Sequence, residues 1–197
     1  MDVVEPWSGK KSVLEKDGTI HSAGDTVLGA DDISGILEIL YGVQLVIDSG
    51  KPHKKIELLF TIGEELYVKG SDVFDYSKVT AKQAYVLDLS EETTFNIGTI
   101  QGGTATNIVP DCCVLTAYET PLESKSVTDF QKACEILGFS GELTGTFGGS
   151  DNNSFAKNGI EGLVLSNGMY NAHSTREYTT VDDLYKGAEL IGQLILL

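Results

Sequence analysis

The most constraining feature of the sequence is a seven-residue run, Ile56-Glu57-Leu58-Leu59-Phe60-Thr61-Ile62, that is apolar at nearly every position. Such a run is typical of a strand buried on both faces of a parallel sheet. Ala84 to Leu87 has the same character, and Gly162 to Ser166 predicts a further strand. Segments with helical periodicity separate these runs. The alternation predicts an α/β fold with a mixed, mainly parallel central sheet flanked by helices.

Apolar spacing and end signals predict the helices. The first begins at the acidic pair Asp31-Asp32 and ends near Gly50. The second follows a capping box that begins at Ser126, with Gly138 as its stop. The last begins at Thr180 and continues with apolar residues at spacings of three and four. The acidic pair is thereby placed at a helix N-terminus.

Two other regions carry signals for antiparallel structure. Asp17-Gly18 lies between short apolar stretches and predicts a hairpin closed by a type I′ turn, because both residues accept positive φ. Residues 94–100 and 113–118 are expected to be extended, and the connection between them contains Gly102-Gly103 and Pro110-Asp111. These two segments predict a small separate sheet.

Charge and cysteine content restrict the functional classes. The formal net charge of −15 opposes binding to nucleic acid or to an anionic membrane surface. The three cysteines are odd in number and show no CxxC spacing, so neither a disulfide framework nor a structural zinc site is expected. No apolar run reaches the ~20 residues of a membrane span. The sequence therefore favours a globular protein of the reducing cytoplasm, with no nucleic-acid or membrane partner.

Acidic residues and one histidine lie just beyond the predicted strand ends. They are Asp31, Glu64, Glu65, Asp88 and His173. Ligands bind at this edge of open α/β sheets. Each residue also has a structural explanation: a helix cap for Asp31, solvated positions for Glu64 and Glu65, a turn for Asp88 and a loop for His173. Together, however, converging carboxylates would repel one another unless cations neutralised them, and a metal site resolves that conflict.

A carboxylate-rich set with one imidazole suits zinc, with manganese or cobalt as alternatives. Two ions that share a carboxylate lie about 3.5–4 Å apart and can activate a bridging water for attack on a carbonyl. The neighbouring pair Glu64-Glu65 fits a division of labour in which one carboxylate coordinates and the other shuttles protons. Two divalent cations are therefore the predicted cofactors.

Several motifs carry a family resemblance in the same order along nearly the whole chain. They are residues 24–32 (GDTVLGADD), 61–65 (TIGEE), 86–88 (VLD), 102–111 (GGTATNIVPD), 148–151 (GGSD), 171–174 (NAHS) and Glu177-Tyr178. These blocks resemble the peptidase T-like branch of the M20 metallopeptidases. The resemblance implies a catalytic domain of the zinc-exopeptidase type, with a smaller lid domain that often dimerises.

The resemblance also implies roles for individual residues. Asp31 would bridge two metal ions, Glu65 and His173 would complete one metal site, Asp88 would serve the second, and Glu64 would act as general acid and base. The peptide bond between Asp31 and Asp32 would be cis. These assignments are expectations from the family pattern.

Two further residues take their expected roles from the same family pattern. Met1-Asp2 matches the last two positions of the family's His-x-Asp motif, so Asp2 is expected to orient a metal ligand while the histidine would fall before residue 1. Asn107, in the glycine-rich block, is expected to contact substrate, although turn chemistry explains it equally well. Thr120 stands where the family usually carries an arginine that grips the substrate carboxylate.

The blocks on either side of Ser90, which are distant in resembling enzymes, are contiguous here. We therefore expect a catalytic domain formed by residues 1–90 and 121–197, with residues 91–120 as the remnant of a lid or dimerisation domain. An exposed edge of this remnant sheet would favour a homodimer.

Two functions are compatible with these patterns. The first is a metal-dependent exopeptidase that hydrolyses short peptides, as a tripeptidase or aminopeptidase does, through a metal-activated water. The alternative is a non-catalytic or truncated metal-binding core of such a peptidase. The number of bound ions and the hydrolysis of a tripeptide distinguish the two.

Overall fold

The architecture is seen in a computed structural model that describes residues 3–66, 68–89, 120–144 and 149–197. The helices are α1 (Ala30–Ser49), α2 (Lys69–Asp72), α3 (Lys125–Leu137), α4 (Asn152–Lys157) and α5 (Val181–Leu196), and a short 3-10 turn covers Tyr76–Lys78. The strands are β1 (Ser12–Leu14), β2 (Thr19–Ser22), β3 (Gln83–Leu89), β4 (Glu161–Ser166) and β5 (Tyr178–Thr180). None of the described helices combines the length and apolar character needed to cross a bilayer.

The described strands form two sheets. β3 and β4 are parallel, with Val86 opposite Val164. β1, β2 and β5 form an antiparallel sheet, in which Ile20 lies opposite Thr179. The fold is therefore α/β with mixed strand directions. The mainly parallel central sheet expected from the sequence is represented by the β3–β4 pair.

The prediction of a buried strand at residues 56–62 is wrong. Within the described residues this segment joins no sheet, and Leu58 and Phe60 are 46% and 43% exposed. Residues of the segment and of β3 instead line a common cavity of about 400 Å³. Glu57 links the segment to the chain before β3, because its carboxylate accepts hydrogen bonds from the backbone N–H groups of Thr80 and Ala81, both at 3.0 Å. Apolar composition reports a tendency to be buried, but a strand also needs a neighbour for its backbone groups.

Helices pack on the β3–β4 pair and form the main core. Its buried members are Leu87, Ala133, Leu165, Ile191 and Leu194, which come from β3, α3, β4 and α5. Burying a leucine or isoleucine side chain stabilises a fold by about 1.5–3 kcal/mol. This packing positions β3 and β4 relative to α5, and β3 ends at the site described below.

Most of the predicted end signals are present. Gly50 adopts the left-handed conformation after α1, and the Thr180 hydroxyl accepts a hydrogen bond from the N–H of Asp183 at the start of α5. The predicted capping box at Ser126 is wrong by two residues. Ser124 is the N-cap of α3, because its hydroxyl accepts from the N–H of Val127, whereas Ser126 lies within the first turn.

The predicted hairpin is confirmed, with β1 and β2 paired antiparallel. Its turn is not type I′, because Gly18 has positive φ (91°) and Asp17 does not. The loop is longer, since the N–H of Glu15 donates to the carbonyl of Thr19. The extended segments expected at 94–100 and 113–118, with the lid remnant they belong to, lie outside the described residues apart from Thr120.

Candidate active site

Three side chains from distant parts of the sequence meet at one point. The Nε2 atom of His173 lies 2.7 Å from Oδ2 of Asp31 and 2.8 Å from Oε1 of Glu65. One ligand atom from each residue lies within 4.8 Å of the other two. Asp31 is at the start of α1, Glu65 follows the segment that ends at Ile62, and His173 is in the loop between β4 and β5. The structure thus brings together three of the four residues predicted as metal ligands.

The loop that carries His173 is closed at its base. The backbones of Tyr170 and Tyr178 form an isolated antiparallel bridge, and their rings stack with centroids 4.6 Å apart. Within the loop, the Ser174 hydroxyl donates to the carbonyl of Asn171. His173 itself has a φ of 62°, which is uncommon for a residue other than glycine. These contacts hold the imidazole over Asp31 and Glu65.

The backbone around Asp31 is held by a buried carboxylate. Glu177, only 2% exposed, accepts hydrogen bonds from the N–H of Gly29 at 2.6 Å and from the N–H of Asp31 at 2.9 Å. Gly29 precedes α1 with a φ of 76°, in the left-handed region. The bond between Asp31 and Asp32 is a cis peptide, as the family resemblance implied. Glu177 therefore fixes the entry of the chain into α1, where the first candidate ligand lies.

Asp88 lies next to this cluster, at an irregularity in β3. The parallel register passes from Leu87 opposite Leu165 to Leu89 opposite Ser166, so Asp88 has no counterpart in β4. A bulge of this kind re-aims the side chain that it carries. Asp88 faces a small cavity of about 40 Å³. The residues that line this cavity are Asp31, Asp32, Thr61, Glu64, Glu65, Val86, Asp88 and Asp151.

The crowding of carboxylates changes their proton affinity. Burial, followed by the charges of Asp88 and Asp31, raises the pKa of Asp32 to about 9. Burial, followed by the charges of Glu64 and Asp31, raises the pKa of Asp88 to about 8. Asn167 partly offsets this repulsion, because its amide donates to Oδ1 of Asp32 at 2.7 Å. The site therefore has an excess of negative charge that its own neutral donors do not balance.

The neighbouring carboxylates also change the proton affinity of His173. Its hydrogen bonds to Asp31 and Glu65 raise the pKa of the imidazole to about 10, against the opposing effect of burial. A proton on His173 thus supplies the positive charge that the two carboxylates require. A tetrahedral zinc shell places its ligand atoms about 3.3–3.5 Å apart, so the three ligand atoms have the chemistry and the proximity that a divalent cation needs. The residues at this point fit a metal ion.

The other predicted residues have different outcomes. Glu64 lines the acidic cavity beside Glu65. Asp88 lines it as well, but it does not belong to the group of three whose ligand atoms lie within 4.8 Å of one another. Asp2 and Asn107 lie outside the described residues. The histidines not expected at the site are elsewhere: His21 pairs with Glu15 on the first hairpin, and His53 is exposed.

Three residues at the site were not predicted to act there. Glu177 holds the backbone of Asp31, Asn167 donates to Asp32, and Asp151 accepts a hydrogen bond from the Thr61 hydroxyl. Glu177 and Asp151 both lie within family-like motifs, so their presence in those motifs was the available signal. Asn167 directly follows β4, and its place after a predicted strand end was its only signal.

Comparison with known folds identifies the architecture. The aminopeptidase PepT from Bacillus cereus ATCC 10987 superposes with a TM-score of 0.83 at 25% identity, covering 99% of this chain and 78% of that one. A tripeptidase from Staphylococcus aureus subsp. aureus mu50 superposes with a TM-score of 0.84 at 22% identity, over the same shares of the two chains. The fold is therefore that of an α/β peptidase.

Sequence comparisons also find relatives among the peptidases. The uncharacterized protein YqjE of Bacillus subtilis (strain 168) is 25% identical over 291 residues, covering 99% of this chain and 78% of that protein. Peptidase T of Clostridium botulinum (strain Loch Maree / Type A3) is 46% identical over 106 residues, which are 44% of this chain and 26% of that protein. Matches to other peptidase T proteins, such as one from Vibrio cholerae, span as little as 17% of the relative.

Residues 1–197 match the profile of peptidase family M20/M25/M40, and the chain belongs to that family. The family assignment places it among the hydrolases that act on peptide bonds.

Proposed function

We propose that the protein is a metal-dependent exopeptidase that hydrolyses short peptides, of the tripeptidase or aminopeptidase kind. The observation that carries the proposal is the convergence of Asp31, Glu65 and His173 at a cavity lined by further carboxylates. A fold alone does not define an activity, but this arrangement suits attack on a carbonyl by an activated water. The similar structures are an aminopeptidase and a tripeptidase, which supports a short peptide as substrate.

Asp31, Glu65 and His173 would hold the first divalent cation, and Asp31 would share its carboxylate with a second one near Asp88. Zinc is the cation we propose, with manganese or cobalt as alternatives, because the set combines carboxylate oxygens with one imidazole. Bound there, the cations would lower the pKa of a water molecule and polarise the carbonyl of the scissile bond.

The residues of the chain carry out the remaining steps. Glu64 would accept a proton from the attacking water and deliver it to the nitrogen of the leaving amine, which is the work of a general base followed by a general acid. Its position in the cavity wall beside Glu65 supports this role. Glu177 keeps the Asp31 backbone in place through two hydrogen bonds. Asp2 and Asn107 keep the roles proposed from the family pattern, as an orienting group and a substrate contact.

The domain organisation is also a proposal. Residues 1–90 and 121–197 would form the catalytic domain, and 91–120 the remnant of a lid or dimerisation domain. The alignment to YqjE supports it, because it runs over 291 residues whereas this chain has 197. A homodimer through the remnant and a cytoplasmic location complete the proposal. The free thiol of Cys134, which is buried, is compatible with a reducing compartment.

One observation favours the alternative, a non-catalytic metal-binding core. Among the described residues a single group of three ligands converges closely, and Asp88 is not a member of it. Such a core would bind metal at Asp31, Glu65 and His173 and release no product.

A single experiment separates the two functions. The metal content of dialysed protein is measured by mass spectrometry, beside hydrolysis of a tripeptide with added zinc, manganese or cobalt. Glu64→Gln is expected to keep the metal content and to lose a factor of about 10²–10⁴ in kcat, because only the proton acceptor is removed. Glu123→Gln, at an exposed position before α3, is the matched control and is expected to behave as the parent.

The outcomes are distinct. Metal-dependent cleavage that Glu64→Gln abolishes supports the peptidase. Bound metal without cleavage in the parent supports the non-catalytic core. Absence of bound metal in both the parent and Asp31→Asn refutes the metal site itself.

A further inference from the structure

A buried carboxylate beside the proposed metal ligands lacks part of its hydrogen bonding. Asp151 is 8% exposed, so more than nine-tenths of it is buried. Its Oδ2 atom accepts a hydrogen bond from the Thr61 hydroxyl. Its Oδ1 atom is buried and has no hydrogen-bond donor within the part of the chain that the structure describes. A buried carboxylate oxygen without a partner is costly and needs an explanation.

The position of Asp151 suggests what the missing partner is. Asp151 lines the cavity of about 40 Å³ that Asp31 and Asp88 also line. A single water-sized particle requires about 10–15 Å³ of such space, so the cavity has room for an ion together with one or two waters. Of the residues that line it, none carries a positive charge. Among the described residues, His173 pairs with Asp31 and Glu65, whereas the residues that line the cavity supply no positive charge for Asp88 and Asp151.

Two kinds of partner can satisfy a buried carboxylate oxygen: a hydrogen-bond donor or a metal ion. A water donor would satisfy Oδ1, but Asp88 and Asp151, which line the same cavity, could then not both be ionised without repelling each other. A divalent cation would satisfy both carboxylates and neutralise their charge at once. A divalent cation therefore explains both the unpartnered Oδ1 atom of Asp151 and the clustering of carboxylates around the cavity.

We propose that Asp151 is a ligand of a divalent cation that it binds together with Asp88, at a position next to the Asp31–Glu65–His173 cluster. This inference rests on the proposed function, since it assigns one more ligand to the second cation of that site. The described residues offer carboxylate oxygens at this position, whereas the first cluster includes an imidazole nitrogen. Carboxylate and water ligands suit manganese, which makes Mn²⁺ a suitable probe.

The test is a titration of the metal-depleted full chain with Mn²⁺, followed by electron paramagnetic resonance of the free ion. The parent is expected to bind two ions per chain. Asp151→Asn keeps the shape of the side chain and the hydrogen bond from Thr61 but removes the charge. It is expected to weaken one binding step at least about ten-fold and to leave the other within about three-fold. Asp182→Asn, an exposed carboxylate paired with Lys186 on α5, is the matched control and is expected to leave both steps unchanged.

Additional variants test the assignment of the ligand. If Asp88 and Asp151 bind the same ion, the double variant Asp88→Asn/Asp151→Asn should lose less than the product of the two single effects. Thr61→Val removes the hydrogen bond but retains the Asp151 carboxylate, and it is expected to keep the affected step within about three-fold. If Thr61→Val weakened Mn²⁺ binding as much as Asp151→Asn, the carboxylate would act only by positioning Thr61, and the proposal would be overturned.

The failures of the two proposals are distinguishable. A parent protein that binds no Mn²⁺ and no Zn²⁺ refutes the proposed function, and the inference with it. A parent that binds two ions, with Asp151→Asn binding both at the same affinities, refutes the inference alone. Should Asp151→Asn not fold, anomalous scattering from parent crystals grown with Mn²⁺ decides the question. The proposal expects Asp151 Oδ1 at a ligand distance of about 2.0–2.6 Å from an ion, and an ion bound only by other residues contradicts it.

Discussion

Replacing Glu177 by glutamine tests how the backbone of the candidate ligand Asp31 is held. The carboxylate is 2% exposed and accepts two backbone hydrogen bonds, at 2.6 Å from Gly29 and 2.9 Å from Asp31. Glutamine has the same shape, but one of its terminal atoms is an NH₂ group. In Glu177→Gln one backbone N–H therefore faces another donor, and the remaining bond loses the charge of its acceptor.

The magnitude follows from these two changes. A hydrogen bond to a charged group contributes about 1.5–3 kcal/mol, and a neutral one about 0.5–1.5 kcal/mol. Losing one charged bond and weakening the other is expected to lower the free energy of unfolding by about 2–4 kcal/mol. For a chain of this size that corresponds to a fall in Tm of about 4–16 °C.

The assay is urea unfolding of the metal-free protein, followed by circular dichroism, with thermal unfolding beside it. Glu123→Gln, an exposed control with the same chemical change, is expected to stay within about 0.5 kcal/mol of the parent. A Glu177→Gln variant that also stays within about 0.5 kcal/mol would refute the reasoning, because the two buried bonds would then contribute nothing measurable.

Two further predictions concern the pH dependence and the helix packing. The pKa of Asp88 is raised from 3.8 to about 8, so its contribution to the stability of the metal-free protein is fully present below the unfolded value and is lost as the pH rises through the folded one. Urea unfolding in the presence of a chelator should therefore show stability falling between about pH 4 and pH 8. Asp88→Asn should reduce that fall, and an unchanged slope would contradict the shift. In Gly42→Ala the added Cβ would lie 2.7 Å from the carbonyl of Ala188 and 2.9 Å from Cβ of Ile191. Overpacking between α1 and α5 is expected to lower the free energy of unfolding by about 1–3 kcal/mol. Helix propensity alone would raise it by up to about 1 kcal/mol. A measured increase would therefore contradict the close packing of Gly42.

The regular elements could largely be predicted from local patterns. Gly50 ends α1 and Thr180 caps α5 as expected, because capping depends on residues within one turn of the helix end. β3 and β4 were predicted from short apolar runs, and they pair in parallel. The run at 56–62 has the same apolar character, yet it joins no sheet among the described residues. Apolar composition indicates which segments are suited to burial, but not which segments pair with a neighbouring strand.

For the candidate site, too, the sequence predicted the residue types but not their contacts. The sequence by itself determined which chemistry was available: carboxylates and one imidazole placed after predicted strands, in motifs that resemble a peptidase family. Only the tertiary structure decided which of them meet. The contact between Glu177 and Asp31 joins residues 146 positions apart, and that between Thr61 and Asp151 joins residues 90 positions apart. No local periodicity encodes such contacts, because the first forms only when the loop before β5 packs on the start of α1, and the second only when the segment at 56–62 packs on the start of α4.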